Sequence, residues 1–275
     1  MLQPGFMSSC RRLRALRRWG VALLTAGLVA LAAGPSSVHA AARGFSGDKA
    51  SKAFYKSCMA LARRDPRRAL SNALAFDATG AAFPAKHCAA TALLQLGHYR
   101  QAGVMFDGLG SKMKQAPRQL RSRIFHQAGL AWLRARDIKR ADASLERAVA
   151  LDGFNLQART DRGILRAQTN RMTEALYDFN AVIEATPDNA AVLVLRAATF
   201  RKLKRLDKAH EDLERALRGD PNHADALLER GILRLVRRDL PGARADWKRI
   251  LRVAPRSAAA VVARRKLASL NRRLK

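Results

Sequence analysis

Acidic residues are scarce in this 275-residue chain: 22 Asp and Glu stand against 52 Lys and Arg, a net charge of +30. Aromatic residues make up 6% of it, and cysteines number three. Each shortage excludes something. Three cysteines cannot build a disulfide scaffold. So few aromatic and β-branched residues beside abundant Ala, Leu and Arg argue for helix over sheet. The aromatic surface is also too small for a platform on which nucleic-acid bases stack, so no nucleic-acid partner is expected. Enzyme signatures are missing as well: no His-Glu-x-x-His, Cys-x-x-Cys, phosphate-cradling glycine loop or Gly-x-Ser-x-Gly occurs. Gly108-Leu109-Gly110-Ser111-Lys112 has the composition of a phosphate loop, but it follows a helical pattern and lacks the spacing. The expectation is a non-catalytic chain without cofactor or metal. What is present in quantity is apolar: 48% of residues, enough to bury a core in one or two domains.

No acid precedes Asp48, while Arg11, Arg12, Arg14, Arg17 and Arg18 lead into an apolar run from Trp19 to Ala33. Gly34-Pro35-Ser36-Ser37 and Val38-His39-Ala40 follow. A basic stretch, an apolar run too short to span comfortably and a small-residue cleavage site predict a secretory signal over residues 1–40, cut after Ala40. An uncleaved membrane anchor is the alternative. No Cys follows the apolar run, so lipoprotein anchoring is not expected. The expected location is periplasmic or secreted. Removing the segment takes five of the 52 basic residues and none of the acids, leaving +25 on the rest.

That rest repeats with a period of 34 residues. Gly231, Ala243, Trp247, Ile250 and Pro255 align with Ala197, Ala209, Leu213, Ala216 and Pro221. A further step back gives Gly163, Ala175, Phe179, Val182 and Pro187, and another gives Gly129, Ala141, Leu145, Ala148 and Gly153. Small residues at repeat positions 8 and 20 let two helices approach, large apolar residues at position 24 fill the space between, and the late Pro or Gly ends the second helix. Each repeat reads as a helical hairpin that buries its apolar faces only by stacking on neighbours.

This pattern resembles the tetratricopeptide repeat family, whose small–Ala–aromatic–Pro columns are carried by Gly163, Ala175, Phe179 and Pro187 and by Gly231, Ala243, Trp247 and Pro255. The resemblance implies an all-α, right-handed α-solenoid of about six hairpins. Residues 41–121 hold two degenerate repeats, 122–257 four regular ones, and 258–275 a capping helix. In that helix Val261, Val262, Leu267 and Leu270 are expected to cover the last repeat, with Arg and Lys turned to water.

With Cys10 in the signal segment, two cysteines remain for the exported chain. Cys58 and Cys88 fall on first helices of neighbouring repeats, close enough in height for a bridge. A disulfide closing a loop of about 30 residues would stabilise by roughly 3–4 kcal/mol. Free thiols, or a Cys58–His87–Cys88 metal site, are the alternatives.

In the family, first helices line a concave groove that takes up peptides, and positions 2, 5, 9, 12 and 13 share one helical face. The resemblance thereby implies a partner-binding groove of Arg123, His126, Arg134, Thr160, Gln168, Val194, Arg201 and Lys202, basic and polar in the middle. Toward the C-terminal end Leu228, Ile232 and Leu235 either grip a ligand or pack internally. The carboxylate clamp of chaperone-binding members would need Asn where Leu130 and Asp161 stand, so this chain departs from it. Asp207, Glu211, Asp212 and Glu214 lie among Arg and Lys and read as a solvated, salt-bridged helix. The implied function is a scaffold or adaptor capturing a protein or peptide segment, acidic in character, in cell-envelope assembly. The alternative is a direct binder of anionic lipid or cell-wall polysaccharide through the basic surface and the tail of Arg252, Arg256, Arg264, Arg265, Lys266, Arg272, Arg273 and Lys275.

Overall fold

A computed structural model describes residues 49–77 and 82–273; the expected signal segment and Cys10 lie outside the described residues. Among the described residues there are thirteen helices and no strand. None of the helices is long and apolar enough to cross a membrane.

The helices pair in chain order. The first two hairpins are α1 (Lys49–Arg64) with α2 (Pro66–Asp77), and α3 (Ala82–Gln95) with α4 (Tyr99–Lys112). Then come α5 (Arg118–Arg134) with α6 (Ile138–Leu151), α7 (Leu156–Gln168) with α8 (Met172–Ala185), α9 (Ala190–Lys202) with α10 (Leu206–Gly219), and α11 (Ala224–Val236) with α12 (Leu240–Val253). A last helix, α13 (Ala258–Arg273), packs on α12 and α11. Each helix packs on its hairpin partner, and first helices pack on the hairpin before. The chain is an all-α solenoid of stacked hairpins. Gly108–Lys112 belongs to α4 and is helical rather than a phosphate loop.

The repeat columns form the core. Ala141, Leu145 and Ala148 are buried, as are Ala175, Phe179 and Val182, Ala209, Leu213 and Ala216, and Ala243, Trp247 and Ile250. The small residue at position 8 is set by contact. A Cβ added to Gly163 would lie 2.6 Å from the Phe179 ring, and one added to Gly231 would collide with the Trp247 indole. Burying these rings against bare backbone is what holds the two helices of a hairpin together.

The turns inside the five hairpins from α3–α4 onward have one backbone solution. Gly97, Arg136, Asn170, Lys204 and Arg238 all have positive φ, from 58° to 80°. The next residue closes the turn: the amides of His98, Asp137, Arg171, Arg205 and Asp239 donate to the carbonyls of Leu93, Trp132, Arg166, Phe200 and Arg234 at 2.8–2.9 Å. This is the left-handed C-terminal closure that satisfies orphan carbonyls. Polar side chains cap the following helices: Asp137 accepts from the Arg140 amide, Asn155 from Ala158, Asn189 from Val192 and Asp239 from Gly242.

The C-terminal helix departs from the sequence expectation. Val261 and Val262 are 45% and 36% exposed, and the surface laid on the last repeat is Ala259, Ala260, Ala263 and Leu270 with partly buried Leu267. Methyl-sized side chains allow α13 a close approach to α11 and α12, which turns the two larger valines outward.

Candidate functional site

The first helices present a face on which polar side chains bond from one repeat to the next. At the N-terminal end Cys58 of α1 and Cys88 of α3 form a disulfide, their Cα atoms 6.1 Å apart and both side chains buried. Both sulfurs are thereby spent, so a metal site on Cys58 and Cys88 has no thiolates to use. His87 beside the bridge lies 2.9 Å by Nδ1 from the Tyr55 hydroxyl and 2.7 Å by Nε2 from Gln127 Oε1. Burial, partly offset by the Gln127 bond, holds its pKa below the ordinary value, and burial raises that of Tyr55. His126, at the same repeat position as His87, meets Asp161 of the next repeat at 2.6 Å. Arg201 of α9 reaches Glu229 of α11 with Nε at 3.0 Å and Nη2 at 2.9 Å.

The eight expected groove residues are distributed as follows. Arg123 and Arg134 are exposed, the Arg134 guanidinium 5.9 Å from the centre of the Tyr99 ring. His126 and Val194 are each 8% exposed. Thr160 is half-buried and donates to the Leu156 carbonyl at 2.8 Å. Gln168 is exposed at the end of α7. Arg201 and Lys202 line one cleft of about 490 Å³ with Asn170, Met172, Leu203, Lys204 and Val236. Arg134 lines a second, of about 510 Å³, with Gly97, His98, Tyr99, Arg100, Gln101, Ala135 and Arg136. Both clefts open at the turns inside the hairpins. Leu228, Ile232 and Leu235 are partly buried and pack against the core. Among the described residues there is no group of three His, Cys, Asp or Glu placed to hold a metal ion.

Two columns escaped the sequence reading. Arginine recurs at position 7 (Arg162, Arg196, Arg230) and aspartate at position 23 (Asp178, Asp212, Asp246). The three Asp are buried, 5% exposed or less, and each is bonded by the Arg of its own hairpin. Asp212 is therefore a core residue, not part of a solvated face. Two of the arginines also reach back one repeat, Arg196 to Asn180 and Arg230 to Glu214. The other column is the left-handed turn position, where a basic residue stands in three of the four regular repeats. Both columns keep the 34-residue period and could have been found by aligning charges as well as apolar residues.

These features define a repeat scaffold, and comparison supplies the family. Residues 126–190 and 194–259 match the tetratricopeptide repeat family model, and over them the chain belongs to that family. Solved structures share the architecture. YrrB, described as a TPR protein with an unusual peptide-binding site, is 25% identical over 63% of this chain and 88% of its own, with a TM-score of 0.54. PilF of Pseudomonas aeruginosa is 16% identical, covering 80% of this chain and 98% of its own at a TM-score of 0.61. MamA of Desulfovibrio magneticus RS-1 is 18% identical over 62% and 93%, at 0.54. No curated protein matches the chain. The chain has the architecture of a protein–protein interaction scaffold.

Proposed function

We propose that the chain captures an acidic peptide segment of a partner protein along the first-helix face. One observation carries this reading: the charge left over on that face is positive. Two of its acids are engaged internally, Asp161 by His126 and Glu229 by Arg201, which leaves Asp225 of α11 as a single exposed acid against three free cations. Arg123, Arg134 and Lys202 are exposed and have no carboxylate partner among the described residues. Such cations attract an extended acidic ligand, and neighbouring apolar positions such as Ile164 add contact area. The likeness to YrrB, itself a TPR protein with a peptide-binding site, supports a peptide as ligand.

The test uses a fluorescent peptide of alternating Glu and Leu, followed by anisotropy at low salt. The double variant Arg123→Ala, Arg134→Ala is expected to bind it about tenfold more weakly, as loss of one or two charged contacts would dictate. Unchanged affinity disposes of the groove reading.

A partner in the cell envelope fits this reading, supported by the basic, apolar and small-residue pattern of residues 1–40, which is that of an export signal. The disulfide supports that assignment, since such bonds persist in oxidising compartments. N-terminal sequencing of the native protein should begin at Ala41; an intact Met1 on membrane-bound protein would contradict it.

A further inference from the structure

The turns inside the hairpins line up along one edge of the solenoid, and this edge is rich in exposed cations without ion pairs. We propose that it docks on an anionic phospholipid surface. Arg136, Lys139, Lys202, Lys204, Arg205 and Arg238 stand on it, all exposed and without an ion-pair partner among the described residues. Arg136, Lys204 and Arg238 occupy left-handed turn positions with φ of 58°, 62° and 64°. That backbone favours glycine, and here a long cation takes its place at a conformational cost.

The acids on this edge are already committed. Asp137 pairs with Arg100 and Arg140, Asp207 with Arg237, Glu174 with Arg171, and Asp239 with Arg234. What remains is a row of cations repeating from hairpin to hairpin. The two clefts show neighbouring turns standing side by side at their junctions, and Asn170 stands between the cations of the α5–α6 turn and those of the α9–α10 turn. The opposite edge is mixed, with Asp152, Asp188 and Asp220 at its turns beside exposed Lys114, Arg218, Arg252 and Arg256.

Two apolar side chains decide the kind of anion. Ile138 is 42% exposed and Val236 46%, and both stand among these cations. A soluble polyanion or a wall polysaccharide has nothing to bury them against, whereas the boundary between headgroups and acyl chains does. Cations beside an anionic leaflet gain from its surface potential, within the reach salt allows. The proposal shares only Lys202 with peptide capture, and its edge variant leaves Lys202, Arg123 and Arg134 in place, so the two readings are tested separately.

The test is co-sedimentation of the full chain with vesicles of phosphatidylcholine alone and of phosphatidylcholine with phosphatidylglycerol. The edge variant Arg136→Gly, Lys204→Gly, Arg238→Gly removes three charges and gives each turn the residue its backbone favours, so the fold is kept; a thermal melt checks this. A control removes as many exposed charges from the C-terminal region: Arg252→Gln, Arg265→Gln, Arg272→Gln. Each cation at an anionic leaflet is worth about fivefold in partitioning, so the edge variant should bind the anionic vesicles roughly a hundredfold more weakly, and the control should bind nearly as the parent does. Equal loss in the two variants, full binding by the edge variant, or no preference of the parent for anionic over neutral vesicles would each overturn the proposal. Retention on immobilised heparin without vesicle binding would overturn it in favour of a soluble polyanion.

Discussion

Arg230 and Asp246 meet fork to fork inside the last hairpin, Nε 3.1 Å and Nη2 2.8 Å from the two carboxylate oxygens. Arg196 and Asp212 repeat the contact at 2.8 and 2.7 Å, and Arg162 and Asp178 at 3.0 and 2.6 Å. In every case the partners are 16 residues apart and join the first helix of a hairpin to the second. The acids bring this segment of the chain a buried column where the composition suggested a surface of loose charge.

Removing one partner from such a pair leaves the other buried and uncompensated. Asp178 is fully buried and accepts from both Arg162 and Arg166, so Asp178→Ala leaves buried Arg162 without an acid and Arg166 with only its longer contacts to Asp142, Glu146 and Glu174. A loss of about 3–5 kcal/mol is expected. Asp212→Ala should also destabilise, and the double replacement Arg196→Met, Asp212→Leu should lose much less, because it removes both charges and refills the volume. Urea midpoints compare the three; a double replacement as costly as Asp212→Ala would show that the charge itself is not what matters.

The close approach of the helices makes its own prediction. Gly163→Ala drives a methyl to 2.6 Å from the Phe179 ring and should cost about 1–3 kcal/mol. The next repeat already tolerates alanine at this position, since Ala197 stands there with Leu213 at position 24, both buried. Gly163→Ala with Phe179→Leu reproduces that combination and should recover part of the loss in a thermal melt. If the added leucine recovers nothing, the ring is not what excludes the methyl.

His87 supplies a pH dependence. Burial lowers its pKa below 6.5, with the Gln127 hydrogen bond pulling the other way, so the unfolded chain takes up a proton that the folded one resists. The contribution to stability is complete above pH 6.5 and is lost as pH falls through that value toward the folded pKa. The thermal midpoint should therefore drop between roughly pH 7 and pH 5, and less steeply in His87→Gln. An equally steep fall in both would assign the effect to other groups.

Much of the fold could be read from apolar spacing. Gly163 against Phe179 and Gly231 against Trp247 were legible because a small and a large residue recur at a fixed distance from one another. The pairing of Cys58 with Cys88 was legible for a similar reason: two first helices in successive repeats are neighbours at similar height. What stayed hidden was burial of charge. Arg162 and Asp178 look like surface residues until the hairpin closes and brings their termini together, since long cations ordinarily dress outer faces. The C-terminal helix misled in the opposite sense, because Val261 and Val262 are the larger apolar residues but Ala260 and Ala263 fit the tighter junction. At the candidate groove, exposure decided which cations stay available, and no spacing rule reveals that Arg201 is held by Glu229 while Lys202 is not.

The disulfide between α1 and α3 has a consequence for how the stack comes apart. In a linear array each unit holds only its neighbours, and either end can open first. Here one terminus is stitched covalently across two units, while the other is closed by a helix seated on alanine methyls. The two ends are thus unequal: unravelling starts at α13 and travels toward the bridge, so the array has a direction of disassembly written into its chemistry.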